Sequence, residues 1–309
     1  MVDYWGFALG AALVFVFGWN NSSFLIGNGR GSGALTLREA LIISSVGLFL
    51  GVLIQGSGML KSLSGSLTPV ASNQVVDAAM VVALILTVAL SVIKIPVSFS
   101  MVLVGSFAGA VLASSLPINL SRVESVVGFW VVAPVATAAL AFLLMHAIES
   151  GVSRLSLIAL DAVSRYAVII TSLLIAYVLG ANNIGLIYGT VLNGGSPSYL
   201  IAISLTVVAV IGMVALGSGG VSGTIGDRML VLSPLGVTST FLASAVLLWT
   251  GTEFGIPISL TQCLLGGMFG SALAKQISAV NTRLAFENIA SWVVTPTCAL
   301  VLAALVVKL

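Results

Sequence analysis

Two asparagine doublets lie within long apolar stretches of the chain. Asn20-Asn21 and Asn182-Asn183 each follow a run of mostly hydrophobic residues. An asparagine amide donates hydrogen bonds through its NH2 group and accepts them through its oxygen, so it can bind either an anion or a cation. One such residue is more often a tie between membrane helices. Two doublets at matched positions instead predict a binding site for a small ion.

Two proline-led segments carry a second set of polar groups. Residues 95–100 read IPVSFS, and residues 256–261 read IPISLT. A proline at the start of a helix is followed by backbone N–H groups without partners in the helix, and such groups attract anions. The alternative is a kink whose freed backbone groups are satisfied by serine and threonine. Because the segment occurs twice, we favour a site that includes Ser98, Ser100, Ser259 and Thr261.

The chain that positions these elements contains an internal duplication. The asparagine doublets are 162 positions apart, and so are the segments Trp130–Pro134 and Trp292–Pro296. Hydrophobic residues make up 59% of the sequence and charged residues only 6%, whereas soluble domains carry about 25% charged residues. The chain therefore belongs in a lipid bilayer. Its net charge of +2 gives no reason to expect nucleic acid as a partner.

The apolar segments predict an all-α, polytopic membrane protein with five segments in each repeat. An odd number inverts the second repeat relative to the first, with broken helices and re-entrant half-helices at the polar positions. We expect a first repeat at 1–147, an interfacial connector at 148–164 and a second repeat at 165–309. The predicted segments are 4–28, 36–57, 75–93, 96–116, 125–147, 165–189, 199–217, 234–251, 257–274 and 287–307.

The basic residues predict the orientation. With both termini outside a plasma membrane, eight of them face the cytoplasm and three face outward, as the positive-inside bias requires. The cytoplasmic set is Arg30, Arg38, Lys94, Arg154, Arg165, Arg228, Lys275 and Arg283, and the outer set is Lys61, Arg122 and Lys308.

The signature around the first doublet resembles that of the inorganic phosphate transporters. The family sequence GANDVANAFGTSVGSGALT is similar to GWNNSSFLIGNGRGSGALT at 18–36, and its start is similar to GANNIGLIYGT at 180–190. The family element PVSTTH is similar to 96–101 and 257–262. The resemblance covers nearly the whole chain. It implies an inverted-repeat phosphate symporter that works by alternating access, forms a homodimer and needs no cofactor beyond a coupling cation, Na+ or H+.

The resemblance also implies the site residues. We expect substrate contacts from the two doublets and the four hydroxyl residues, together with Asn28 and Thr190 in the signatures, and a sodium ion at Asn21, Asn183, Ser98 and Ser259. The acidic residue of each family signature is replaced by Asn21 or Asn183, which weakens cation binding in a low-dielectric cavity. It also removes acceptors for a protonated anion, so a sulfate permease of the same family is an alternative, and a passive anion channel is a more remote one. No nucleophile–base set points to an enzyme.

Overall fold

The computed structural model describes residues 4–69, 71–93, 98–216, 232–276 and 282–308. Within these ranges the chain is almost entirely helical, and eight helices are long and apolar enough to cross a membrane. The helices are α1 Tyr4–Gly31, α2 Leu37–Gln55, α3 Asn73–Val92, α4 Phe99–Ala113, α5 Leu120–Val152, α6 Leu157–Leu179, α7 Gly185–Leu192, α8 Tyr199–Leu216, α9 Pro234–Glu253, α10 Leu260–Ala274 and α11 Thr282–Lys308. A 3-10 turn, Gly56–Met59, follows α2, and a π-helical turn, Gly180–Ile184, joins α6 to α7.

The ten predicted membrane segments are all present as helices. The predicted start of the sixth segment is wrong by eight positions, because Ser156 accepts a hydrogen bond from the backbone N–H of Ala159 and begins α6 at Leu157. Only residues 153–156 of the predicted connector lie between helices. Lys94, Pro96 and Arg228, used in the sequence analysis, lie outside the described residues.

The interruption expected at the first asparagine doublet is absent. Helix α1, which is 28 residues long, runs through it without a break. Asn21 Nδ2 donates to Phe17 O at 3.0 Å, one turn back in the same helix. At the second doublet the helix is disturbed only by the π-helical turn. The true breaks are the short half-helices α4 and α10, of 15 residues each; at about 22 Å they are too short for a hydrocarbon core of about 30 Å.

Loop contacts define two faces of the molecule. On the first, the α2–α3 face, the loop before α3 meets the loop after α4, where Asn119 N donates to Leu67 O at 2.8 Å. On the opposite face, the α1–α2 face, Arg165 in the third turn of α6 pairs with Glu39 at the start of α2. Helices α3 and α4 therefore form a hairpin open to the α2–α3 face. Helices α9 and α10 form the inverted hairpin, which we call the second hairpin.

The two repeats are related by a pseudo-two-fold axis, and their helices interlock. The last helix of each repeat packs on the hairpin of the other: α5 lies on α10, and α11 lies on α4. In the same way α1 packs on α8, and α6 packs on α2. Glycines allow these close contacts at matched positions. A Cβ at Gly105 would lie 2.5 Å from Pro296 O, and one at Gly266 would lie 2.1 Å from Pro134 O. The repeated Trp–Pro element is therefore the seam between the repeats.

Candidate functional site

The two half-helices meet at their N-terminal ends. Ser98 is the N-cap of α4 and Ser259 is the N-cap of α10, both with extended backbone angles. Ser100 in the first turn of α4 donates to Ile258 O, just before α10, at 3.1 Å. The positive ends of two helix dipoles, each with backbone N–H groups that have no acceptor in the helix, therefore converge in the protein interior. Such an arrangement favours an anion.

The chain between α9 and α10 returns toward the interior in an irregular conformation, and side chains bind all of its carbonyls from Phe254 to Ile258. Each carbonyl from Phe254 to Ile258 accepts a hydrogen bond from another part of the molecule. The donors are Arg122 for Phe254 and Gly255, Asn182 for Ile256, Trp130 for Pro257, and Ser100 for Ile258. Irregular backbone at membrane depth requires such partners. These contacts fix the position at which α10 begins.

Asn182 binds this returning segment through both the NH2 group and the oxygen of its amide. Its Nδ2 donates to Ile256 O and to Thr252 Oγ1, both at 3.1 Å, and its Oδ1 accepts from Ile258 N at 3.2 Å. Both amide hydrogens are therefore used within the protein, and one acceptor lone pair remains. This places Asn182 as a residue that positions the half-helix, with little capacity left for substrate.

The two asparagine doublets lie at the same level on the pseudo-two-fold axis. Helix α1 runs antiparallel to α6 and α7 and touches them at two symmetric points. A Cβ at Gly10 would lie 2.2 Å from Val191 Cγ2, and one at Gly29 would lie 3.8 Å from Ser172 Oγ. The midpoint between positions 10 and 29 falls at 19–20, and that between 172 and 191 falls at 181–182. Each doublet therefore lies midway between the two contacts along its own helix.

The first doublet also lies beside the start of α4. Asn20 Nδ2 donates to Ser91 Oγ, near the end of α3, at 2.8 Å. One turn earlier in α1, the ring of Phe17 packs edge-on against Phe99, the first residue of α4, with centroids 5.3 Å apart. One asparagine of each doublet thus bonds to the hairpin of its own repeat.

Two buried donors on these elements lack partners among the described residues. They are Asn183 Nδ2 and Ser98 Oγ, on side chains that are each 2% exposed. A buried donor without an acceptor costs about 1–3 kcal/mol, and an anion between the half-helices would remove that cost. Ser259 differs from Ser98, because its hydroxyl is shared with Thr261 Oγ1 at 2.8 Å and accepts from Gln262 N.

Two predicted substrate contacts are directed into their own helices. Thr190 Oγ1 donates to Leu186 O at 2.8 Å, and Asn28 Nδ2 donates to Phe24 O at 3.2 Å. Both are buried, but both bonds lie one turn back within the same helix, an arrangement that proteins also use without any ligand.

The phosphate transporter family matches this chain twice, over residues 17–160 and 158–303. The chain belongs to that family. The boundary between the two matches falls near the α5–α6 connection, and the contacts described above are therefore contacts between two copies of one family unit.

Full-length relatives support the same assignment. A Methanocaldococcus jannaschii protein whose name places it among phosphate permeases is 28% identical over 94% of this chain and 92% of its own length. A Bacillus subtilis protein named as a low-affinity inorganic phosphate transporter is 20% identical over 92% of this chain and 90% of its own length. A solved structure titled as the sodium-dependent phosphate transporter shares the fold, with a TM-score of 0.87, 19% identity, and coverage of 98% of this chain and 97% of that one.

In this family member an apolar cavity lies beside the half-helices. It has a volume of about 520 Å³ and lies between α5 and α11, with walls that include Trp130, Trp292, Met101 and Gln262. Met101 and Gln262 occupy the positions that correspond to the histidine of the family element PVSTTH. Their side chains are buried against this cavity, and its apolar walls make it unsuited to an inorganic anion.

Sequence reasoning missed Trp130 and Arg122 as residues that hold the returning segment. For Trp130 a signal was present, since its motif recurs with the same spacing as the asparagine doublets. Arg122 was counted only as a basic residue at a membrane end. In the described residues no cluster of three or more histidine, cysteine or acidic side chains could hold a metal ion.

Proposed function

We propose that the protein carries inorganic phosphate across the membrane by alternating access, coupled to a cation. The observation that carries this proposal is the meeting of two half-helix N-termini, with the unpartnered donors of Ser98 and Asn183 buried beside them. Family membership and the phosphate named in its relatives select the anion. Sodium is the first choice for the cation because the solved structural neighbour is titled sodium-dependent.

The chemistry of the site also favours phosphate, as the names of the related proteins do. Phosphate with one proton still attached needs one hydrogen-bond acceptor among many donors, and the Ser98 hydroxyl can provide either role. Sulfate at neutral pH has no proton to donate and gains nothing from that acceptor. Sulfate has no support from the relatives and is retained only as an outcome of the test below.

The coupling cation would lie next to the anion. The proposed ligands are the side-chain oxygens of Asn21, Asn183, Ser98 and Ser259, which are all buried. Because these ligands are neutral, the bound anion itself supplies the negative charge that attracts the cation. We further propose that the protein works in the plasma membrane as a homodimer, with both termini outside.

The first test is uptake of labelled phosphate into proteoliposomes under an inward sodium gradient, a proton gradient or neither. We expect saturable uptake driven by the sodium gradient and unaffected by a tenfold excess of sulfate. In Ser98→Ala the KM for phosphate is expected to rise roughly tenfold, since a hydrogen bond to a charged group contributes about 1.5–3 kcal/mol.

The thermal stability of the Ser98→Ala variant serves as its control. It should match that of the parent, because the hydroxyl has no partner in the described protein. Equal uptake of sulfate and phosphate would contradict the assignment of substrate. Uptake that fails to saturate and ignores both gradients would favour the channel.

A further inference from the structure

The α2–α3 face is closed over the second hairpin by a set of polar contacts. Arg122 Nη1 donates to Phe254 O at 3.2 Å, and its Nη2 donates to Gly255 O. Ser62 Oγ donates to the same Gly255 carbonyl at 2.7 Å. Beside them Gln55 at the end of α2 donates to Glu253 at the end of α9. These contacts join the loop after α2 and the start of α5 to the tip of the hairpin.

The pseudo-symmetric arginine is not engaged in this way. Arg283 lies 161 positions after Arg122, the spacing that also relates the two hairpins. Its Nε donates to Glu287 Oε1 at 2.9 Å, within the same helix, and its side chain is 88% exposed. In the described structure, therefore, one arginine of the pair holds a hairpin tip while the other is turned to solvent.

An acceptor for Arg283 exists at the matched position of the first hairpin. Ile93 lies 161 positions before Phe254 and ends its helix with nearly the same backbone angles, φ −82° and ψ 6° against φ −88° and ψ 3°. The two side chains are also similarly exposed, at 61% and 63%. The carbonyl that ends α3 thus has the geometry of the carbonyl that Arg122 binds at the end of α9.

We infer that Arg122 and Arg283 are reciprocal gate latches. In the conformation described, Arg122 fastens the second hairpin and closes the α2–α3 face. In the alternate conformation Arg122 releases Phe254, while Arg283 leaves Glu287 and binds the carbonyl of Ile93, which closes the α1–α2 face. Two inverted repeats can exchange conformations in this way because each repeat carries a latch arginine at the matched position. The inference rests on the alternating access proposed above and names the residues that carry it.

Glu287 makes the two latches unequal, because only Arg283 has an acidic partner in its own helix. By pairing with Arg283 it stabilises the conformation in which that latch is open. Residue 126, which lies 161 positions before Glu287, is a valine, so Arg122 has no acidic partner one turn on. Removing Glu287 should therefore favour the alternate conformation, whereas removing Arg283 should disfavour it. A simple stabilising ion pair predicts the same direction for both changes.

The experiment measures how fast a cysteine beneath the closed face reacts with a water-soluble maleimide. The reporter is Met59→Cys, since Met59 is 1% exposed and ends the 3-10 turn that leads into the loop over the second hairpin. Cys263 and Cys298 are replaced by alanine and serine, and the full chain is placed in lipid nanodiscs without phosphate. We expect Arg122→Ala and Glu287→Ala to raise the labelling rate and Arg283→Ala to lower it, by roughly tenfold for Arg122.

Lys61→Ala and Arg154→Ala are charge-matched controls, because both side chains are exposed and neither contacts a hairpin tip in the described structure. They should leave the rate unchanged. If Arg122→Ala does not fold, Arg122→Lys, which retains one donor group, should give a smaller increase. An unchanged or faster rate in Arg283→Ala overturns the reciprocal latch. Because phosphate is absent from this assay, its result does not depend on the uptake experiment, and either proposal can fail alone.

Discussion

Replacing Asn182 with alanine is expected to abolish phosphate uptake and to lower stability together. The change removes the partners of Ile256 O and Ile258 N, both in the buried segment that sets the start of α10. Each buried backbone group left without a partner costs about 1–3 kcal/mol, so the free energy of unfolding should fall by roughly 2–6 kcal/mol. Thermal unfolding of the purified protein and uptake in proteoliposomes are the two measurements.

Asn183→Ala is the matched control, one residue away on the same π-helical turn. The Nδ2 group of Asn183 has no partner in the described protein, so its loss should leave the melting temperature unchanged or slightly raised. Phosphate binding should still weaken, with a KM increase of roughly 10- to 100-fold if a hydrogen bond to the anion is lost. Equal loss of stability in both variants would contradict the division of the doublet into a positioning residue and a substrate residue.

This division could not be obtained from the sequence. Composition, repetition and the odd number of segments were sufficient for an all-α membrane protein of two inverted repeats, because burial in lipid and repeat spacing are properties of the sequence itself. That the doublets share one site stays a prediction. Two adjacent asparagines look identical in a sequence, however, and their roles differ only through the direction in which a helix turns each side chain.

The positions of the helix breaks were the second feature that the sequence did not predict correctly. Asparagine, serine and glycine in the first signature suggested an interrupted helix, yet α1 continues because Asn21 bonds back to Phe17 in the same helix. Polar side chains can bind a helix's own carbonyls, so polarity alone does not end a helix. The N-cap serines of the half-helices, Ser98 and Ser259, were the better signal. The contacts of Arg122 depend on a loop conformation and left no comparable pattern.

A methyl group at Gly270 is expected to destabilise the protein strongly. The Cβ of Gly270→Ala would lie 2.0 Å from Ala138 O in α5, and that of Gly109→Ala would lie 2.0 Å from Leu300 O in α11. Both contacts are with backbone, which cannot rotate away as a side chain does, so each pair of helices must separate. Overpacking of this kind typically costs about 1–3 kcal/mol and sometimes more. Thermal unfolding should show a lower melting temperature for each variant, with a similar drop because the sites are related by the pseudo-two-fold axis.

Gly128→Ala provides the contrast, since a Cβ at this position of α5 has nothing within 4 Å. A helix gains about 1 kcal/mol when an interior glycine becomes alanine, so this variant should be as stable as the parent or more so. If Gly270→Ala were as well tolerated, α5 would not lie on the hairpin of the other repeat. The half-helix α10 would then lose the wall that holds it against Ser100, and the proposed anion site would have no fixed second half. The interlocked repeats are therefore a requirement of the site, because each half-helix is held in place by a helix from the opposite repeat.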